Sequence, residues 1–496
     1  MALRIDILLP VVIYFLIVTV GIGTYYIRRY GRAARDFTIA AMTLPWWLVA
    51  TGIVLGPFGA GHTLSPAEAT WGWGAAPNWW SIIGGTLSLT IAIFTIGRWY
   101  RRLGVSTIAE AYEKIFGLEV RALVAAITLF ASLSIGSLEF YATAAAISGF
   151  TGLDIAFCII LAFVFFIVYV LFSGVMQLAT VNLVNLVVYY VGVALALIVL
   201  TSVLDKIGGW KVAEQLIVQK VGEKGITLFA PEWGPFLGLV IPIAILHACY
   251  TPLIQGFMQP ILAAKDERQI TRGWPLVMVL NASATTAFVV IGLVALTIPS
   301  TLYGPLAPTI ETLRAQGAAV PTIILTITEL LPGAGALILM SLLAATLSTG
   351  SAFVLGSSTA IVEDLIPMYK KLDERTKMIL LRAFIVISCI LCLIGASFMP
   401  YLIAAFLWVF GWTVPFFVGL MFAWLWRRSS RAMLGTIAVT WIVHVLWTIF
   451  GVNVPVTWLK PPLGNTYPLI IVAIVTYVVL ALTSRDVKEP GKLLTK

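Results

Sequence analysis

The 496-residue sequence is poor in charged residues and in the residues that build catalytic centres. Only 11% of the residues are charged, 60% are hydrophobic, and the mean hydropathy is +1.01, values that no water-soluble globular fold of this length tolerates. The sequence has no HExxH motif, no phosphate-binding glycine loop and no paired carboxylates within one apolar run, and three histidines leave little room for a catalytic metal site. Composition therefore excludes a soluble protein and gives no support to an enzyme.

Neither the four cysteines nor the basic residues behind the net charge of +9 are arranged as a functional site would require. The cysteines lie inside apolar runs, which predicts small buried packing residues rather than disulfides or a metal cluster: Cys158, Cys249, Cys389 and Cys392. The lysines and arginines are spread over short loops instead of forming one basic face or tail, so we expect no nucleic-acid partner.

Long apolar runs fill the chain instead. Runs of about 20 residues, the length that crosses the hydrocarbon core of a bilayer, recur from near residue 6 to near residue 484 and predict thirteen transmembrane helices. The first run is too long for a signal-peptide core, so we expect a mature helix. With the N-terminus outside, most of the 31 lysines and arginines fall in inner loops. This pattern predicts a multi-pass protein of the cell membrane with a cytoplasmic C-terminus.

Two of the predicted spans are interrupted by helix-breaking residues. GPFGAG at 56–61 and HACYTPLIQG at 247–256 each lie in the first span of a series of five, at 38–203 and 234–426. Paired broken helices at corresponding positions indicate a transporter built from inverted repeats, although Gly and Pro could also merely kink two ordinary spans. The other regions are a peripheral N-terminal helix at 1–37, an extracellular loop at 204–233, and two C-terminal helices with a short cytoplasmic tail at 427–496.

Two adjacent hydroxyl residues, Ser348 and Thr349, lie in the middle of a predicted span. Such residues commonly satisfy themselves on the carbonyl four residues earlier or at a helix contact. Here Ala344, Ala345 and Gly350 keep the helix narrow, so that another backbone can approach closely. If that backbone is the break at 56–61, its free carbonyls and the two hydroxyls form an uncharged oxygen cage, which suits a monovalent cation.

Ionisable residues inside the predicted spans are rare, and each is therefore informative. Glu139 has no cationic residue within two turns, and it could be a proton or cation site, a solute contact, or a protonated carboxyl buried between helices. His62 follows the first break and His247 stands at the second. A histidine at each break favours roles in a binding pocket, with packing as the alternative.

Four stretches of the sequence resemble the sodium/solute symporter family: LPWW at 44–47, LAAKDERQITRG at 262–273, AATLSTGSAFVLGSSTAIVEDL at 344–365 and RRSSRAMLG at 427–435. The third is closely similar to a string in bacterial proline symporters. This resemblance covers nearly the whole chain. It implies an all-α membrane protein of the LeuT-type fold, with ten core helices in two inverted repeats, one helix before them and two after.

The resemblance also implies a set of binding residues. The sodium site would consist of the backbone of Leu55 and Phe58, the carbonyl of Ala345, and the hydroxyls of Ser348 and Thr349. The solute site would include eight residues: Pro57, His62, Trp80, Ser81, Glu139, His247, Tyr250 and Asn281. Three of them, Glu139, His62 and His247, are the ionisable residues described above. Asn182 stands where sugar and proline members have an Asp that supports cation coupling, so we expect one cation per solute.

These features together predict a Na⁺-coupled symporter that works by alternating access. The expected solute is a small carboxylate or an amino acid, the coupling ion is Na⁺, and no organic cofactor or further metal is expected. The expected partners are the solute and the lipid bilayer, and the protein is expected to be a monomer. Alternatives are H⁺ coupling through Glu139 or the histidines, a sugar or vitamin as solute, and a membrane receptor that only senses a solute.

Overall fold

The computed structural model describes residues 5–22, 24–25, 34–171, 174–227, 236–330, 334–366, 371–398, 402–450 and 466–490. In these ranges the chain is helical, and extended pairing is limited to two isolated bridges, Leu44 with Ala264 and Arg428 with Lys488. The α-helices are Ile5–Leu16, Ala34–Ile39, Trp46–Leu55, Leu64–Trp73, Thr86–Ile91, Gly97–Leu103, Ile108–Phe116, Leu118–Thr151, Ile155–Val170, Gly174–Leu204, Trp210–Val221, Ile241–Tyr250, Gln255–Leu262, Glu267–Arg272, Trp274–Ser283, Thr286–Thr297, Ala307–Ala315, Ala319–Leu330, Gly335–Thr359, Glu374–Ala396, Leu402–Gly411, Val414–Leu425, Ser430–Ile449 and Thr466–Thr483.

Shorter π- and 3₁₀-helical segments continue or join these helices. The π-helical segments are Ile17–Gly21, Trp80–Gly85, Ala92–Ile96, Phe236–Val240 and Ala360–Leu365. The 3₁₀ segments are Ala40–Met42, Ala76–Asn78, Asp205–Ile207, Glu223–Gly225, Thr251–Leu253 and Ser300–Leu306.

Within the described residues, nine helical spans are long and apolar enough to cross a membrane, and a pair bent by 43°, Ala405–Gly411 with Val414–Leu425, makes a tenth. Four apolar helices are shorter, Ile7–Gly21, Trp46–Leu55, Ile155–Val170 and Ala319–Leu330. The all-α membrane architecture is therefore confirmed, whereas the predicted count of thirteen is not. Parts of the predicted N-terminal helix, of the loop at 204–233 and of the C-terminal region lie outside the described residues.

Both predicted helix breaks are present. The first broken helix consists of Trp46–Leu55 and Leu64–Trp73, and the second consists of Ile241–Tyr250 and Gln255–Leu262. Prolines in the two gaps, Pro57 and Pro252, have no N–H to donate to a helical ladder. The second half of the first broken helix runs to Trp73. The helix Trp210–Val221 lies within the stretch expected to be an extracellular loop.

Two long helices form the centre of the molecule and pack against each other. We call Gly335–Thr359 the hydroxyl helix and Leu118–Thr151 the Glu139 helix. The hydroxyl helix is buried along almost its full length, and small residues let the second broken helix approach it: a Cβ on Gly356 would lie 2.8 Å from the nitrogen of Gly256. This close backbone approach involves the second broken helix at Gly356, not the first break at the residues Ala344, Ala345 and Gly350.

A polar contact joins the ends of the two central helices. Arg121, near the start of the Glu139 helix, forms an ion pair with Asp364 at 3.0 Å and a second one with Glu113. The Thr107 hydroxyl donates to the same Asp364 carboxylate at 2.7 Å. Asp364 belongs to the VEDL string that follows the hydroxyl helix, so this contact fixes that helix at the end away from its hydroxyl pair.

Candidate functional site

A cavity lies between the two helix breaks and the two central helices. All of its lining residues except Pro57 are buried. The lining residues are Pro57, Gly61, His62, Trp80, Gly85, Ser88, Leu89, Ile135, Glu139, His247, Tyr250, Thr251, Phe257, Thr349, Phe353, Phe406 and Phe410.

Thr349 connects the hydroxyl helix to the first break. Its hydroxyl donates a hydrogen bond to the carbonyl of Leu55, the last residue of the first helical half, with a distance of 3.0 Å. The same oxygen accepts a hydrogen bond from the Gly59 N–H at 2.7 Å. Two members of the predicted cation site, Leu55 and Thr349, are thus in direct contact.

Ser348 lies beside Thr349, but its hydroxyl takes part in a different set of contacts. It donates to the Ala344 carbonyl at 2.6 Å, which is the local alternative that the sequence left open, and it accepts from the Asn185 amide at 2.9 Å. Asn185 also donates to the Tyr169 oxygen at 2.6 Å and accepts from the Tyr14 hydroxyl at 2.8 Å. The N-terminal helix, expected to be peripheral, is therefore tied to the centre of the molecule.

Phe58 and Ala345, the other two residues of the predicted cation site, are fully buried. Ala345 lies one turn before Thr349 on the hydroxyl helix, and Phe58 lies within the break, where its ring stacks on His62 at 5.4 Å between centroids. Both residues are thus close in the chain to the contact between Thr349 and the break. That their carbonyls bind a cation stays a prediction.

Glu139 contacts the backbone of the first break at Ala60, the residue after Gly59, whose N–H bonds Thr349. Both of its carboxylate oxygens accept from the Ala60 N–H, at 3.1 and 2.8 Å. The hydroxyl of Thr349 and the carboxylate of Glu139 thus bind two consecutive N–H groups, those of Gly59 and Ala60. The break leaves these groups outside a helical ladder, which explains why polar side chains of both central helices converge on it.

The two histidines predicted at the breaks face each other. The rings of His62 and His247 are 6.3 Å apart and inclined by only 18°. The indole of Trp80 meets His247 edge to face at 4.6 Å. These three side chains form one part of the cavity wall, together with Tyr250.

Ser81 and Asn281 do not line the cavity, in contrast to the other six residues of the predicted solute site. The Asn281 amide donates to the Ser81 carbonyl at 3.0 Å. Its side chain packs directly against Gly85, which does line the cavity. A solute contact at these two positions stays a prediction.

Asn182, which stands where related members have an Asp, lines a different and smaller cavity with Gly52, Gln259, Pro260 and Ala352 among its neighbours. Its carbonyl oxygen is buried and has no hydrogen-bond partner among the described residues. The amide that reaches Ser348 belongs instead to Asn185, about one turn along the same helix. Sequence reasoning missed Asn185, although an amide in an apolar run was the signal that could have found it.

Comparisons with known proteins agree on the architecture. The sequence model described as the sodium:solute symporter family matches residues 37–438. No curated protein sequence matches the chain. A Na⁺-coupled sialic acid symporter, solved in a substrate-bound outward-open state, has a similar structure, with a TM-score of 0.79, 18% identity, and coverage of 97% of this chain and 98% of that one.

A second solved structure, that of Mhp1, a nucleobase-cation-symport-1 family transporter in a closed conformation with bromovinylhydantoin bound, is a more distant match. Its TM-score is 0.53 at 13% identity, and the match covers 93% of this chain and 96% of that one. At such low identities the two structures show a shared fold, and they carry no residue-level assignment. The LeuT-type fold expected from the sequence is confirmed in this way.

Proposed function

The chain belongs to the sodium:solute symporter family, and we propose that its buried cavity carries a small organic solute whose transport is driven by Na⁺ bound next to it. It is a multi-pass membrane protein that performs Na⁺-coupled secondary active transport. The solute that we propose is a small carboxylate or an amino acid. The N-terminus is proposed to lie outside and the C-terminus in the cytoplasm, from the distribution of basic residues.

The observation that carries this proposal is the contact of Thr349 with Leu55 and Gly59. It joins a hydroxyl to a backbone carbonyl at the break, and both are uncharged oxygen ligands of the kind that suits a monovalent cation. We propose that Na⁺ binds the carbonyls of Leu55, Phe58 and Ala345 and the hydroxyls of Ser348 and Thr349. Binding would replace the hydrogen bond between Thr349 and Leu55, and would thereby hold the broken helix against the hydroxyl helix.

Coupling follows from a difference in Na⁺ affinity between the outward-open and inward-open states. An ion that bound both states equally would not change the equilibrium between them. An ion that bridges two mobile helices favours the state in which these helices are in contact. An inside-negative potential adds about 2.3 kcal/mol per charge per 100 mV. Alternating exposure of the cavity then releases ion and solute into the cytoplasm.

A second candidate is H⁺ coupling, because Glu139, His62 and His247 all line the cavity and could exchange protons there. Counterflow in proteoliposomes with an imposed Na⁺ or pH gradient separates the two ions. We expect uptake to follow the Na⁺ gradient at constant pH. Unaltered uptake after removal of Na⁺ would eliminate the sodium site as proposed.

His247→Ala should weaken solute binding more than Na⁺ binding, because the ring lies in the cavity wall opposite His62 and not at the Leu55–Thr349 contact. We expect a rise of about tenfold in the half-saturating solute concentration, as for the loss of one buried polar contact. Solute and Na⁺ titrations of uptake measure both quantities. The matched control is His444→Ala, whose ring bonds the Trp408 carbonyl outside the cavity. Equal effects of the two variants would count against a solute role for His247.

Asn185→Leu should raise the half-saturating Na⁺ concentration by about three- to tenfold, because it removes the donor that positions the Ser348 hydroxyl. Na⁺ titration of uptake at saturating solute measures the change. Asn182→Leu is the control on the same helix, since Asn182 has no contact with Ser348. A Na⁺ affinity as weak in the control as in Asn185→Leu would argue for a sodium site near Asn182 instead.

A further inference from the structure

Glu139 is the only carboxylate among the described residues that line the cavity, and no lysine or arginine lines it. The side chain is completely buried. Among the described residues, the only hydrogen-bond donor to this carboxylate is the Ala60 N–H, which serves both oxygens. A buried carboxylate with one backbone donor and no cationic neighbour is poorly stabilised at membrane depth. A proton can neutralise it before a ligand binds, whereas in its ionised form it needs a positive charge that only a ligand in the cavity can supply.

Aromatic rings form much of the remaining wall. Tyr250 stacks on Phe410 with centroids 4.0 Å apart, and Trp80 lies 6.2 Å from Phe406 and 6.2 Å from Phe410. The faces of such rings carry partial negative charge and attract cations. A solute that carries negative charge and no positive group would face both the rings and Glu139 without a lysine or arginine to compensate it.

Three polar side chains of the wall are available to bind the other end of a solute. The hydroxyl of Tyr250, the indole N–H of Trp80 and both ring nitrogens of His62 are buried and have no hydrogen-bond partner among the described residues. Tyr250 and Trp80 can donate to an acceptor such as a carboxylate or carbonyl oxygen, and a neutral imidazole can donate with one nitrogen and accept with the other. The wall thus offers one carboxylate, two neutral donors and one imidazole.

We infer that the solute carries a positively charged amino group that pairs with Glu139, and an acceptor group that binds Tyr250 and Trp80. An amino acid has both features, whereas a simple carboxylate lacks the first. This inference rests on the proposed function, since it assigns the solute class of the same cavity. Of the two proposed solute classes, small carboxylates and amino acids, the inference selects amino acids.

Wild-type protein tests the charge requirement without any substitution. Purified transporter in detergent is heated in Na⁺ or in K⁺ with each proteinogenic amino acid, the corresponding hydroxy acid, or the N-acetyl amino acid. A ligand bound by the folded state raises the melting temperature. We expect stabilisation in Na⁺ by one or more amino acids, with at least about thirtyfold weaker binding of the analogues that lack the positive charge. Equal binding of hydroxy acids or N-acetyl derivatives would overturn the inference.

Glu139→Gln, with Glu119→Gln as the control at the exposed start of the same helix, tests whether Glu139 is the partner. We expect Glu139→Gln to lose the preference for the amino acid over its hydroxy analogue, and Glu119→Gln to keep it. A preserved preference together with a weaker response to Na⁺ would show that Glu139 pairs with Na⁺, which overturns the inference. Stabilisation by amino acids that is equal in Na⁺ and K⁺ would instead contradict the proposed Na⁺ coupling and leave the charge requirement supported.

Discussion

Thr349→Ala should raise the half-saturating Na⁺ concentration for uptake by about ten- to hundredfold. The substitution removes one proposed Na⁺ ligand, the hydroxyl that lies beside the Leu55 carbonyl, and the loss of one buried polar contact costs about 1–3 kcal/mol. Ser348→Ala should have a smaller effect alone, because that hydroxyl is also bound locally to Ala344. The double variant should be the most impaired. Na⁺ titrations of solute uptake in proteoliposomes measure all three.

Two further variants show whether the Thr349 effect is specific. Thr349→Ser keeps the hydroxyl and should retain most of the Na⁺ affinity. Thr346→Ala lies on the same helix and removes a buried contact with the Thr143 hydroxyl at 2.7 Å, away from the break. If Thr349→Ala binds Na⁺ about as tightly as the wild type does, the contact between Thr349 and Leu55 has no role in Na⁺ coupling.

Gly59→Ala should reduce transport by more than about tenfold while the protein still folds. A Cβ at this position would overlap the Glu139 carboxylate, so either that carboxylate must leave the Ala60 N–H or the break must change shape. Initial rates of uptake in proteoliposomes, together with melting temperatures, measure the effect. The control is Gly72→Ala in the second half of the same broken helix, where an added Cβ has no neighbour within 4 Å. Wild-type uptake in Gly59→Ala would mean that the geometry at the break is not essential.

The helix breaks and the rare polar residues could be predicted from the sequence because each has a direct physical consequence. Gly and Pro at 56–61 and Pro252 in the second gap interrupt helical hydrogen bonding, and the structure has its gaps there. Glu139, His62 and His247 stood out because ionisable groups are costly in a membrane, and all three line the cavity. The spacing of these three residues along the chain does not show which side chains they contact.

The aromatic part of the wall could not be predicted. Phe406 and Phe410 lie in an apolar run, and apolarity alone does not distinguish a side chain that lines a cavity from one that faces lipid. The helical half at Leu64–Trp73 was missed because its mixed composition lacks a long apolar run. Asn281 was placed in the solute site by resemblance, which stays a prediction; in the structure its amide donates to the Ser81 carbonyl and packs against Gly85.

The four cysteines and the hydroxyl pair show where local reasoning was sufficient and where it was not. All four cysteines are buried and unpaired, as their apolar surroundings predict. Ser348 and Thr349 are adjacent and chemically alike, but one hydroxyl bonds its own helix and the other reaches the first break. Only the position of the neighbouring helix decides between these outcomes.

Equilibrium binding of radioactive Na⁺ to the purified transporter tests the central claim most directly, because it requires no knowledge of the solute. The site formed by the first break and the hydroxyl helix predicts saturable binding to the wild type that is lost or much weaker in Thr349→Ala and unchanged in Thr346→Ala. Saturable binding that is identical in all three proteins, or no saturable binding to the wild type, would contradict the proposed sodium site.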